Sequence, residues 1–250
     1  MTQPPSPWDP FLQGNDDLLA RIAPEQLNYL VNISLQRSYI YVETPKVACS
    51  SIKVMLQRLE LNDPALDFPV SDFIHLRAHS PLLAPVQVGR FRALLDSVSM
   101  FRFAFVRDPY ARLLSAYLNK IAGNTPEKKD VLNRLGLSAD ILETPVSFAQ
   151  FISVVEATEP LERDLHWREQ TLVLQPDIIR YDFIGRFEQF DRDIRQVFHR
   201  IGADAETWWH REDRHGTGAS QRMDAFYTPD VRARVHAIYA ADFETFGYPA

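Results

Sequence analysis

From Ser51 the apolar residues fall at Ile52, Met55, Leu56 and Leu59, the i, i+3, i+4, i+7 spacing of one helix face. Just before it, Ser38-Tyr-Ile-Tyr-Val-Glu-Thr44 is a β-branched and aromatic run that stops at Pro45, which predicts a buried strand. Lys46-Val-Ala-Cys-Ser-Ser51 is left as a tight turn between them. The arrangement recurs. Phe101-Arg-Phe-Ala-Phe-Val106 predicts a strand and Arg107-Asp108-Pro109 a junction, with Asp108 as N-cap and Pro109 at the first helical position. The helix that follows puts Tyr110, Leu113, Leu114, Tyr117 and Ile121 on its buried face. A third unit runs from a strand over Ile178 to Ile184 into a helix with Ile194, Val197, Phe198 and Ile201 on one side. Asp191 and Asp193 open that helix, where an N-cap and first-turn acid are expected rather than a metal pair. Helices are also expected at about Leu18 to Val31 and Asp230 to Phe243. Strands alternating with amphipathic helices imply an α/β fold with a parallel sheet covered on both faces. The polar stretch Gly123 to Pro145, with Lys128 and Lys129, reads as an insertion on the ligand side of the sheet or a hinge.

Composition narrows the class. The chain has 250 residues, 46% apolar and 24% charged, ordinary globular values that exclude a disordered chain or a disulfide scaffold. A net charge of −6 argues against a nucleic-acid partner, since a phosphate backbone asks for a basic face. Cys49 is the single cysteine, so no intrachain disulfide forms and a reducing, cytoplasmic setting is expected. The longest apolar run, Ala237 to Ala241, is far short of a membrane span. The first ten residues hold four prolines and read as an extended arm, taken to about residue 17, not as a secretory signal.

In an open parallel sheet, ligands bind beyond the carboxyl ends of the strands. The loop Lys46, Val47, Ala48, Cys49, Ser50, Ser51 lies at such an end. Its small residues let the backbone approach an anion, a helix N-terminus follows, and two hydroxyls and Lys46 add donors. The same residues also fit a plain strand-to-helix turn with a solvated lysine. A Walker loop is absent, which argues against a kinase-type ATP site. At the second strand end, Arg107 and Ser115 supply a guanidinium and a hydroxyl, the pair a second phosphate requires. Arg112, Ser115 and Asn119 share a helix face opposite the apolar stripe. The alternative for Arg107 is a surface pairing with Asp108 or another acid. Two anion sites imply a ligand with phosphates at two separate positions.

Thr44-Pro-Lys-Val-Ala-Cys-Ser-Ser-Ile-Lys53 resembles the 5′-phosphosulfate loop of the Golgi carbohydrate sulfotransferases. Phe105-Val-Arg-Asp-Pro-Tyr-Ala-Arg-Leu-Leu-Ser-Ala-Tyr117 is similar to their 3′-phosphate motif. His166-Trp-Arg-Glu-Gln170, Tyr181-Asp-Phe-Ile-Gly-Arg-Phe-Glu188 and the closing Tyr239 to Tyr248 segment match family segments in the same order, so the resemblance covers about residues 38 to 248. It implies one sulfotransferase domain from residue 18 to the end, with the three-layer, P-loop-NTPase-like fold. It also implies 3′-phosphoadenosine 5′-phosphosulfate (PAPS) as co-substrate without a metal, and a hydroxyl acceptor on a saccharide. Golgi members carry a membrane anchor and usually a cysteine pair before the Tyr-Asp-Phe strand. Here Leu174 and Asp177 stand where those cysteines are expected.

Sulfuryl transfer builds negative charge on the bridging oxygen of the leaving nucleotide, so a cation aimed there acts most strongly in the transition state. Lys46 is the candidate, with Lys53 read as a solvated helix lysine. The acceptor hydroxyl must lose a proton, and histidine suits that task. Of His75, His79, His166, His199, His210, His215 and His236, the resemblance favours His75 as base, with His79 and His166 next. His75 and His79 have the spacing of helix metal ligands, but without the Glu of His-Glu-x-x-His. His166 beside Trp167 also fits a residue that orients a structural aromatic. His215-Gly-Thr-Gly-Ala-Ser220 is glycine-rich, and the resemblance implies that Ser220 touches the nucleotide, although a plain loop fits as well. A nucleotide- or glycan-binding module without catalysis is the alternative function.

Overall fold

The computed structural model describes residues 8–67, 71–209 and 217–249. In chain order the helices and strands are α1 (Asp9–Leu12), α2 (Asp16–Leu19), α3 (Pro24–Leu30), β1 (Val31–Ser34), β2 (Tyr39–Val42), α4 (Cys49–Leu61), α5 (Phe91–Leu95) and β3 (Phe101–Val106). There follow α6 (Pro109–Ala116), α7 (Lys128–Arg134), α8 (Phe148–Ala157), α9 (Gln170–Leu174), β4 (Phe183–Arg186), α10 (Phe190–Arg200), α11 (Ala205–Trp208), α12 (Ala219–Phe226), α13 (Pro229–Ile238) and α14 (Ala240–Phe246). The expected single domain divides into two compact units. The first is Met1–Thr44, Ala48–Val106 and Leu174–Arg211; the second is Pro45–Val47, Arg107–Val173 and Glu212–Ala250.

The first unit holds the sheet, in the order β1-β2-β3-β4. β2, β3 and β4 run parallel, with Tyr41 opposite Phe103 and Phe103 opposite Phe183. β1 pairs antiparallel with β2, so the sheet is mostly parallel rather than wholly so. β1 replaces the end of the helix expected to reach Val31. Pro24 starts that helix afresh, and Val31 leaves helical geometry for an extended backbone. Tyr41 stacks on Phe103 at 5.1 Å, and Phe105 meets the rings of Phe183 and Phe190. The third strand begins later than its apolar pattern suggests, at Phe183. Before it the Asp182 carboxylate accepts from the backbone N–H and Nε of Arg102, and the Tyr181 hydroxyl donates to the Leu174 carbonyl. Leu174 is fully buried and Asp177 pairs with Arg21 at 2.7 Å, so packing and a surface ion pair occupy the two positions where cysteines were expected.

Residues 1–7 of the expected arm lie outside the described residues. From Asp9 onward the chain is not an extended arm. α1 and α2 form there, Phe11 and Leu18 are buried, and the Asn15 amide donates to the Phe11 carbonyl at 2.7 Å. Two apolar anchors outweigh the local proline content.

The second unit is built on an aromatic core in which Tyr110, Tyr117, Phe148, Phe151, Trp167, Tyr227 and Phe243 are buried together. α6 begins as the sequence predicts, with Asp108 accepting from the Ala111 N–H at 2.8 Å and Pro109 first in the helix. Its expected apolar face is entirely within this core. One turn of π-helix, Tyr117–Ile121, continues it. Residues 123–145 are anchored by α7. Val131 and Leu132 enter the core, and the buried Lys128 ammonium donates to the Asn124 side chain and the Leu142 carbonyl. The last expected helix is broken at Tyr239, whose hydroxyl donates to the Trp167 carbonyl. Among the described residues no helix is long and apolar enough to cross a membrane.

Candidate functional site

Each unit assembles its own part of the expected site. In the first, β2 ends at Val42 and α4 begins at Cys49. The turn closes through left-handed backbone at Lys46 (φ 69°) and Ala48 (φ 54°), a conformation that any residue with a Cβ adopts at a cost. Ala48 supplies no side-chain cap, and the first turn of α4 carries no acid. The positive end of the helix dipole at Cys49, Ser50 and Ser51 is therefore not offset by a carboxylate, which suits an anion.

His75 packs against this helix. Its Nε2 lies 2.9 Å from Ser50 Oγ and its Nδ1 lies 3.2 Å from Lys53 Nζ and 3.3 Å from the Tyr29 hydroxyl. Lys53 is not a solvated helix lysine. It is 1% exposed, forms an ion pair with the equally buried Glu43, and stands over the Tyr29 ring. The amphipathic pattern of α4 hides this, because Lys53 follows Ile52 on a helix whose first turns are buried all round. Glu43 carries no sequence signal beyond its place after the last residue of β2. Ser51 and Val47 are buried, and Cys49 is half-exposed.

In the second unit, Arg107 follows the last residue of β3 and is 6% exposed. Its Nη1 donates to the Lys46 carbonyl and its Nη2 to Ser220 Oγ, both at 3.3 Å, so it does not take the surface pairing with Asp108. Gln170 clamps the Arg107 backbone from both sides, accepting from its N–H and donating to its carbonyl, each at 2.9 Å. Asp242 in turn accepts from the N–H groups of Gln170 and Thr171. Burial pushes the Asp242 carboxyl above its ordinary range, against the pull of those N–H donors. Neither Gln170 nor Asp242 stands out in the sequence; each sits in a resemblance segment without a role attached.

Ser115 is buried and receives a hydrogen bond from Thr217 Oγ1 at 3.3 Å. Lys46 Nζ donates to Asn119 Oδ1 at 2.9 Å, and the π-turn that carries Asn119 is a distortion common at functional sites. Arg112 does not share an open face with Ser115. It is 2% exposed, and its guanidinium donates to the carbonyls of Pro45, Leu165 and Arg168.

Among the other histidines, His166 Nδ1 lies 2.6 Å from the Asp164 carboxylate, and Trp167 beside it is buried edge-on to Phe151. His79 is exposed and stacks on Phe73, His236 packs on Phe243, and His199 is exposed on α10. His210 and His215 lie outside the described residues. Asp191 and Asp193 lie in the first turn of α10 as expected, but neither is its N-cap: Gln189 holds that position without a side-chain hydrogen bond, and Asp193 accepts from the Arg186 N–H before the helix.

The structure thus gathers Ser50 with His75 in one unit, and Lys46, Arg107 and Ser220, with Ser115 beside Thr217, in the other. A strand-loop-helix turn with an uncapped helix start and a buried arginine joined to a hydroxyl are both in place. Residues 31–249 match the sulfotransferase family, and the chain belongs to it. It is 30% identical to carbohydrate sulfotransferase 12 of Mus musculus, over 90% of this chain and 61% of that protein. It is 28% identical to carbohydrate sulfotransferase 14 of Danio rerio over 86% of this chain and 60% of the relative, and 26% identical to the Homo sapiens protein of that name over 98% and 65%. The chain therefore spans about three fifths of the length of these relatives. No solved structure matches it.

Proposed function

We propose that the chain transfers a sulfuryl group from PAPS to a hydroxyl of a saccharide. The observation that carries this reading is the convergence of residues remote in sequence within a single unit, where the Arg107 guanidinium donates to the Lys46 carbonyl and to Ser220 Oγ. The family match and the carbohydrate sulfotransferases among the relatives support the choice of sulfuryl over phosphoryl chemistry and of a sugar acceptor. The β2-loop-α4 connection and the parallel β2-β3-β4 ladder support the three-layer, P-loop-like arrangement expected for such an enzyme.

In this mechanism Arg107, Ser115 and Ser220 hold the 3′-phosphate, and the loop from Lys46 to Ser51 holds the 5′-phosphosulfate. The acceptor oxygen attacks sulfur in line. The bond from sulfur to the bridging oxygen breaks as the new sulfur-oxygen bond forms, adenosine 3′,5′-bisphosphate leaves, and the acceptor's proton passes to a histidine. Lys46 donates to Asn119 and is placed in this scheme to meet the charge that grows on the leaving oxygen. Metal is not needed for that role, since cationic side chains supply the countercharge.

Calorimetric titration with adenosine 3′,5′-bisphosphate tests the reading. Arg107→Ala and Ser115→Ala should each weaken binding, the arginine by about 1.5–3 kcal/mol, the range for hydrogen bonds to charged groups. Lys46→Ala should lower turnover with nucleotide affinity partly kept. A chain indifferent to the nucleotide ends the proposal.

A further inference from the structure

The partners of His75 and His166 favour opposite tautomers. Lys53 pairs with Glu43 as an ammonium, a group with three donors and no lone pair. Its approach to His75 Nδ1 at 3.2 Å therefore makes that nitrogen an acceptor, with the Tyr29 hydroxyl 3.3 Å from the same atom. A neutral His75 then carries its proton on Nε2, which donates to Ser50 Oγ. Glu43 Oε1, at 3.7 Å from Nδ1, is too far to compete. Lys53, His75 and Ser50 form a donor chain that ends in a hydroxyl at the uncapped start of α4, where it can donate to an anion but not remove a proton.

His166 is the converse. Asp164 accepts from its backbone N–H at 2.8 Å and from its ring Nδ1 at 2.6 Å. Burial alone would raise the Asp164 carboxyl, but the hydrogen bonds and charge of His166, with Lys120 nearby, hold it below the ordinary carboxylate range. It stays ionised and acceptor-only, so the proton of a neutral His166 sits on Nδ1. Nε2 keeps its lone pair, on a ring 26% exposed. Arg112 ties this segment to the lysine loop, because one guanidinium donates to the carbonyls of Leu165 and Arg168, on either side of His166, and of Pro45, which precedes Lys46.

We propose that His166, positioned by Asp164, takes the proton of the acceptor hydroxyl, and that His75 serves as a hydrogen-bond donor toward the bound anion. This deepens the sulfuryl-transfer reading and rests on it. In the step, the hydroxyl proton moves to His166 Nε2 as the oxygen bonds to sulfur, and the carboxylate of Asp164 faces the imidazolium so formed.

Long-range proton-nitrogen spectra of the chain labelled with 15N-histidine, recorded above pH 8, read the tautomers without any substrate. His166→Ala and His75→Gln assign the two signals. The expected result is Nδ1–H for His166 and Nε2–H for His75; a His166 protonated on Nε2 overturns the assignment. In turnover of PAPS with a panel of hydroxyl-bearing oligosaccharides, His166→Ala should lower kcat roughly 10²–10⁴-fold. Asp164→Asn, which forces the other tautomer at nearly constant shape, should do likewise, with bisphosphate affinity unchanged. His75→Gln keeps a donor toward Ser50 and should raise the KM for PAPS more than it lowers kcat. The reverse ranking, with His75→Gln inactive and His166→Ala active, also overturns the proposal. If the unaltered chain neither binds the bisphosphate nor consumes PAPS, sulfuryl transfer itself is wrong, and the tautomer spectra still judge the histidine assignment.

Discussion

Lys53 and Glu43 are the most consequential pair of single residues. Both are almost wholly buried, and their pairing orders His75 and, through it, Ser50. Glu43→Gln leaves the ammonium without a countercharge in a dry setting, and a loss of about 3–5 kcal/mol in urea unfolding is expected. A loss below about 1 kcal/mol, the size of an exposed pair, would show that the site is wet and the pairing unimportant. Asp164 gives a second expectation. Its carboxyl lies below the ordinary value of 3.8 in the folded chain, so the stability it contributes is present above that value and fades as pH falls through the lower folded value. Asp164→Asn should flatten the acid side of the Tm-against-pH profile below about pH 4. Identical acid limbs for both chains would remove that claim. At this scale the chemistry-bearing residues of the two loops were readable because charge and hydroxyls sit at strand ends. Glu43, Gln170 and Asp242 were not, because a single acid or amide says nothing of what it faces across the fold.

Among the elements, β3 and β4 show what the Tyr-Asp-Phe-Ile-Gly segment does. Asp182 pins the start of β4 to Arg102, and Gly185 lies opposite Phe105. A Cβ on Gly185 would stand 2.4 Å from the Phe105 ring, which is itself fully buried against Phe183 and Phe190 and has nowhere to retreat. Gly185→Ala should cost about 1–3 kcal/mol by overpacking, and Phe105→Leu in the same chain should recover part of it. Equal stability of Gly185→Ala and the parent would mean that the strands separate freely. Periodicity located the cores of α4, α6 and α10 well, since each has a face that must be buried. It misplaced the third strand and missed β1 and the break at Tyr239. Those boundaries are set by side-chain hydrogen bonds and by which neighbouring strand is available, and neither leaves a periodic trace.

For the whole molecule, a net charge of −6 means that any polyanionic donor is drawn by local groups, not by the overall field. The reading then predicts stabilisation by linkage. Adenosine 3′,5′-bisphosphate at 100 times its Kd should stabilise the chain by about 2.7 kcal/mol, a rise in Tm of roughly 5–10 °C for this size. Arg107→Ala should show a much smaller rise at the same concentration. An unchanged Tm in the parent chain, with the nucleotide at millimolar level, contradicts the donor assignment.

By itself the sequence determined the α/β class, the strand-loop-helix connections after β2 and β3, the buried face of α6, its Asp108 cap, and the position of Lys46, Ser50 and Arg107 just beyond strand ends. These follow from local rules: side-chain period, cap chemistry, and the placement of cations after strands. The tertiary structure decided the rest. It placed Lys53 inside against Glu43, turned Arg112 onto three carbonyls, set Gln170 on the Arg107 backbone, and brought Lys53 to His75 Nδ1 and Asp164 to His166 Nδ1. A burial or a tautomer is settled by the partner that arrives from elsewhere in the chain, and no short stretch of residues contains that partner.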